Sequence, residues 1–132
     1  MPGGTLFPIV VDDKVGFIDA TGRVVVTPQF DEAGESSGSL AWVRLEHRYG
    51  FVDSTGKLVI NPQFEKAGDF RHGLAFAATK DRYGYIDRRG RYVISPQFDE
   101  AWDFSQGLAR VKADRRYGYV DRNGRSIYSP TK

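Results

Sequence analysis

The residues able to do chemistry in this chain are few, and most are arranged periodically. There is no cysteine, so thiolate catalysis, thiolate metal sites and disulfides are excluded. His47 and His72 are the only histidines. A metal centre or a nucleophile-activating base needs further ligands or a nucleophile beside the imidazole, and neither histidine has such neighbours. Both read as surface residues, His47 in a turn between strands and His72 beside Gly73 in a linker. No Gly-x-Ser-x-Gly elbow and no phosphate-cradling glycine loop is present.

Two ladders remain. Asp19, Asp53, Asp87 and Asp121 recur at a step of 34 residues, a pattern that invites comparison with repeated calcium sites or paired catalytic carboxylates. A calcium site wants several oxygens per unit, yet Asp87 is followed by Arg88-Arg89, which would repel a cation. Each aspartate instead precedes a glycine by three residues, at Gly22, Gly56, Gly90 and Gly124. Aspartate opening a tight turn accepts amide hydrogen bonds, and glycine closing it takes positive φ. The ladder therefore reads as a structural turn. The second ladder, Arg48-Tyr49, Arg82-Tyr83 and Arg116-Tyr117, pairs cations with rings as nucleic-acid platforms do, and Arg23, Lys57, Arg91 and Arg125 form a further basic row. Acidic positions recur with the same period at Asp31-Glu32, Glu65 and Asp99-Glu100. The net charge is only +2. Opposite charges in parallel rows make a solvated surface and not a nucleic-acid track.

The period organises the whole chain. Leu6, Leu40, Leu74 and Leu108 keep the same step, as do Pro28, Pro62, Pro96 and Pro130. Four units follow, at 6–30, 40–64, 74–98 and 108–132, the last degrading to Tyr128-Ser129-Pro130-Thr131-Lys132. Each unit predicts three short strands. The first alternates apolar residues, as in Phe7, Ile9 and Val11. The second carries a glycine among aromatics, as in Tyr83-Gly84-Tyr85, a sign of close backbone or ring approach. The third holds an apolar triplet such as Leu58-Val59-Ile60, which predicts cover on both faces. No window has a helical period, although Asp99 to Phe104 is compatible with one irregular turn. The expected fold is a single all-β domain over 1–132, four antiparallel three-stranded meanders stacked as a curved array. A closed propeller-like ring is the alternative.

The consensus Tyr-Gly-Tyr-Ile-Asp, then Gly-Arg, then Val-Ile-x-Pro-Gln-Phe-Asp and later Gly-Leu-Ala-x-Val resembles the bacterial WG β-repeat family. The tryptophan naming that family is replaced here by Val15, Tyr49, Tyr83 and Tyr117. The resemblance implies a β-repeat scaffold without a common catalytic activity, and it supplies no functional residues.

The expected function is accordingly non-catalytic, with no catalytic residue, metal or cofactor: a module that binds another protein, such as an immunity or regulatory protein occluding a toxin or effector. The alternatives are a ligand-binding protein or enzyme with a pocket between units, and a nucleic-acid binder using the Arg/Tyr rows. The linkers 31–39, 65–73 and 99–107 are expected to present adaptable loops. Trp102 replaces Gly34 and Gly68 of the other linkers, which marks it as either a partner anchor or private packing, with Arg71, His72, Asp103 and Gln106 as rim contacts. Exposed edge strands would permit a homodimer. No apolar run approaches the length of a bilayer-spanning helix and the N-terminus has no signal-peptide pattern, so the expected location is cytoplasmic.

Overall fold

The computed structural model describes residues 5–34 and 40–128. The tail of the last unit, the extreme N-terminus and positions 35–39 of the first linker lie outside the described residues. Within them the chain is all-β, with four separate antiparallel sheets, none closed into a barrel. Among the described residues no helix is long and apolar enough to cross a membrane. The chain divides into two compact units, Met1–Phe64 and Glu65–Lys132.

The first unit holds two sheets. The first sheet comprises β1 (Phe7–Val11), β2 (Lys14–Ile18) and β3 (Val24–Phe30) in that order. The second comprises β4 (Glu32–Ala33), β5 (Leu40–Leu45), β6 (Arg48–Asp53) and β7 (Leu58–Phe64). In the second unit the third sheet is built from β8 (Lys66–Ala67), β9 (Ala75–Thr79), β10 (Arg82–Ile86) and β11 (Tyr92–Phe98), and the fourth from β12 (Glu100–Ser105), β13 (Leu108–Ala113), β14 (Arg116–Asp121) and β15 (Ser126–Tyr128).

Each meander therefore follows the 34-residue period, but three of the four sheets have a fourth strand that the periodic pattern does not announce. It comes from the linkers. Asp31 N donates to Arg44 O at 2.8 Å, Glu65 N to Ala78 O at 2.9 Å and Asp99 N to Lys112 O at 2.7 Å. The linker backbone thus satisfies the outer edge of the next unit's first strand, which would otherwise present unpaired amides and carbonyls. In the segment from Asp99 to Phe104, Glu100 to Phe104 correspondingly belong to the strand β12 and not to a turn, and the linkers are not free loops along these stretches. The apolar triplets also differ from expectation. Only their third members, Val26, Ile60 and Ile94, are buried, while Val24, Leu58, Val59 and Val93 are exposed. One covered face suffices for an antiparallel strand.

The turns are local and repeated. Asp19 Oδ1 accepts from Thr21 N at 2.9 Å, Thr21 Oγ1 at 2.6 Å and Arg23 N at 3.1 Å, and Gly22 N returns to Asp19 O at 3.0 Å with φ +89° at the glycine. Asp53, Asp87 and Asp121 accept equivalent amide bonds from the residues two and four ahead. The strand glycine and the proline are coupled. Val15 pairs with Phe30 and Phe17 with Val26, so β3 carries extra residues around Pro28 that bulge toward β2. A Cβ on Gly16 would run into Val26 O and stand 2.7 Å from Pro28 N, and Gly50 and Gly84 meet the same obstruction from Ile60 and Ile94. Glycine is required there because backbone occupies the place of its side chain.

Successive sheets pack within each unit. In the first, Leu6, Phe17, Val26 and Phe30 of the first sheet and its entry lie against Ala41, Val43 and Val52 of the second. In the second, Leu74, Tyr85, Ile94 and Phe98 lie against Ala101, Phe104, Ala109, Val111 and Val120. In each pair the leading sheet thus presents a forward face carrying the large ring of its second strand, and the following sheet covers it with its rear face, made mainly of alanine and valine with Phe104 added in the fourth sheet. The close approach of the sheets depends on alanines at 41 and 109.

Candidate functional site

The forward face of the fourth sheet is where the repeat pattern breaks. In the third sheet this face carries Phe76, Ala78 and Tyr85, and Tyr85 is fully buried under the fourth sheet. Its ring meets Phe104 edge-on at 4.8 Å, and its hydroxyl donates to Trp102 O at 2.6 Å. Burial pushes that phenol far above its ordinary pKa, so it is a permanent donor. The equivalent residues of the fourth sheet are Arg110, Lys112 and Tyr119. Tyr119 is 40% exposed, Tyr117 46% and Tyr128 59%.

Trp102 belongs to this face. In the second sheet Gly34 lies beneath the Trp42 indole, Gly34 N donates to Trp42 O at 3.0 Å, and the indole packs on Tyr49 at 5.2 Å. In the third, Gly68 lies beneath Phe76, whose ring packs on Tyr83 at 5.9 Å. In the fourth the two strands exchange residues. Trp102 on β12 supplies the ring, packs on Tyr117 at 5.9 Å, and is covered by the Arg110 guanidinium at 4.3 Å from its centroid. Arg110 also lies 5.0 Å from the Tyr117 centroid, and Lys112 Nζ 5.4 Å. The place of Trp102 against Gly34 and Gly68 in the sequence suggests a ring the repeat does not require; in the fold, the repeat has a ring on this aromatic in three sheets and draws it from either strand.

The remaining candidates separate. Trp102, Asp103 and Gln106 line a shallow concavity of about 470 Å3 together with Arg110 and Tyr119. Arg71 reaches it through Asp103, with Nε 3.7 Å from Asp103 Oδ2, and also lies 3.8 Å from Asp69. Partial burial raises the Asp103 carboxyl; the Arg71 charge opposes this and Asp69 adds to it. His72 and Gln106 are equivalent turn residues at φ +54°, and His72 lines neither concavity of this sheet. A second concavity, about 550 Å3, spreads over Arg116, Tyr117, Tyr119 and Tyr128, so Tyr119 joins the two.

The Arg/Tyr ladder does not form a row of free platforms. Tyr49 and Tyr83 lie against Trp42 and Phe76, and Arg82 pairs with Asp99. His47 stands in the β5–β6 turn and His72 in a different one, and no group of three or more His, Asp or Glu among the described residues is arranged to hold a metal ion. The sequence singles out Trp102 but not Arg110, Lys112 and Tyr119, which share its face in the fold. The signal was available at position 110, where Pro8, Trp42 and Phe76 are replaced by arginine.

Among known proteins, the family model described as WG containing repeat matches residues 16–46, 49–81 and 83–115. No curated protein and no solved structure matches the chain.

Proposed function

The chain belongs to the WG containing repeat family, and on that premise we propose that it is a non-catalytic interaction module whose fourth sheet binds a protein partner and occludes the surface it covers. The observation that carries this reading is the uncovered face of Tyr117, Tyr119 and Tyr128 beside Arg110, whose equivalent in the third sheet is sealed by packing. Exposed rings rimmed by cations are the composition of a protein-binding hot spot, and a guanidinium held over an indole is already ordered before binding. The partner this face fits is partly apolar with acidic groups at its rim. A regulatory or immunity role is one form such occlusion takes.

The test is affinity capture from native extract with mass identification, comparing wild-type bait with Tyr119→Ser and Arg110→Glu baits of unchanged melting temperature. The reading requires proteins captured by wild type and lost with both variants. Identical capture by all three removes the face from consideration.

A further inference from the structure

The chain displays twice, within its own units, what covers a forward face: the rear face of another such sheet. The fourth sheet's forward face offers Leu108, Tyr119 and Tyr128 where the third offers Leu74, Tyr85 and Ile94. At the other end of the sequence the first sheet has an uncovered rear face. Phe7 is 44% exposed where its counterpart Ala109 is 1% exposed, and Val11 and Val24 on the same face are also exposed. The first sheet has no strand equivalent to β12 among the described residues, and so no equivalent of the Phe104 ring that meets Tyr85. Phe7, in place of an alanine, puts an aromatic on that face.

The charges correspond as well. Inside the first unit Lys14 Nζ donates to Asp31 Oδ1 at 2.6 Å, while Asp31 Oδ2 accepts from Glu46 N at 2.7 Å. The cation at the start of one sheet's second strand is thereby held at the first hairpin turn of the next. Arg82 and Asp99 repeat this, Asp99 accepting from Asp114 N at 2.9 Å. The equivalent cation of the fourth sheet is Arg116, and no ion pair to it is formed among the described residues. The equivalent turn of the first sheet is Asp12-Asp13, two acids where the other turns have Glu46-His47, Lys80-Asp81 and Asp114-Arg115.

We propose that this protein associates head to tail with a second copy of itself, the forward face of one copy's fourth sheet packing on the rear face of the next copy's first sheet, with Arg116 meeting Asp12 and Asp13. This rests on the reading of the fourth sheet as a binding face and names its occupant. Such a contact joins two different surfaces, so it leaves a free face of each kind on every dimer and propagates until it closes or runs on as a filament.

Three variants test it by sedimentation velocity across a wide concentration range. Arg116→Glu spoils only the forward face. The double variant Asp12→Lys/Asp13→Arg spoils only the rear face, and its new residues are those the protein itself carries at Lys80 and Arg115 with the same positive φ. Wild type is expected to grow with concentration in steps of one chain. Each variant alone is expected to self-associate at least about tenfold more weakly, because like charges then face each other. An equimolar mixture of the two is expected to grow again with the variants alternating, since every contact between unlike variants sets opposite charges against each other while every contact between like variants sets like charges together. The triple variant, with both charges exchanged, regains growth. A wild type that stays monomeric at every concentration overturns the proposal, as does equal self-association of all forms. Loss of capture from extract by Tyr119→Ser bait would in that case still support the interaction module with a different partner, so the two failures are distinct.

Discussion

Trp102 and Arg110 occupy, with their roles exchanged, the cross-strand positions that Gly34 and Trp42 occupy in the second sheet. One ring is placed over the Tyr49 and Tyr117 positions in both cases, and the strand that supplies it is free to change. Trp102→Ala is expected to lower stability by about 1–2 kcal/mol, since a half-buried indole and its guanidinium contact are lost together. The exchange Trp102→Gly with Arg110→Trp should recover most of that loss by recreating the second-sheet arrangement, while weakening partner binding for want of the guanidinium. Thermal melting and binding measured side by side decide it. A melting temperature no better for the double variant than for Trp102→Ala would refute the equivalence.

Glycines in this chain are required for two different reasons, and substitution should separate them. Gly84 has negative φ but backbone where its Cβ would go, 2.8 Å from Pro96 N. Gly22 has φ +89° and nothing within 4 Å of its Cβ position. Gly84→Ala must open the bulge and is expected to cost about 2–3 kcal/mol, whereas Gly22→Ala strains only its own backbone by about 1 kcal/mol. Denaturant titration orders the two, and the reverse order would contradict the bulge geometry.

Gly90, at φ +86°, closes the turn opened by Asp87. Gly90→Val is expected to destabilise by more than about 1 kcal/mol because a β-branched side chain clashes at positive φ. Asp87→Ala removes the acceptor of the Arg89 and Arg91 amides and should cost about 0.5–1.5 kcal/mol. Unchanged melting in both would show that the turn is held by other means.

Tyr85→Phe removes the bond to Trp102 O but leaves the ring in place. Phe17 and Phe51 fill the same repeat position and are fully buried. The loss is expected to be about 1 kcal/mol, one hydrogen bond's net contribution. A collapse of the second unit, seen as a much lower melting temperature, would show that the hydroxyl does more than tie the two sheets.

Acid should weaken the first unit through Asp31. The Lys14 ammonium first, then the Glu46 amide, hold its carboxyl below the ordinary carboxylate range. Asp19 is lowered likewise, chiefly by the Thr21 hydroxyl against some desolvation. A carboxyl lowered in the folded state stabilises the protein above its unfolded pKa, and that contribution is lost as pH falls through the folded value. Melting temperature should therefore decline as pH drops below the ordinary carboxylate range, and Asp31→Asn should flatten part of that decline. A profile indifferent to Asp31→Asn would remove the Lys14–Asp31 clasp from the account.

The sequence by itself determined the period, the meanders and the hairpin turns. These depend on contacts close along the chain: Asp19 with Thr21 and Gly22, or Gly16 with Pro28, lie within one unit, and fourfold repetition makes each legible. The family follows from the same repetition. Only the tertiary structure decided how the linkers are used, because Asp31 pairs with Arg44 by backbone bonds that any side chain permits. It also decided which members of the apolar triplets are covered, since that depends on a neighbouring sheet and not on the strand's own pattern. Trp102 shows the same limit. A comparison by position sets it against two glycines, while in space it takes the place of rings on the opposite strand, because a cross-strand pair fills one volume from either side.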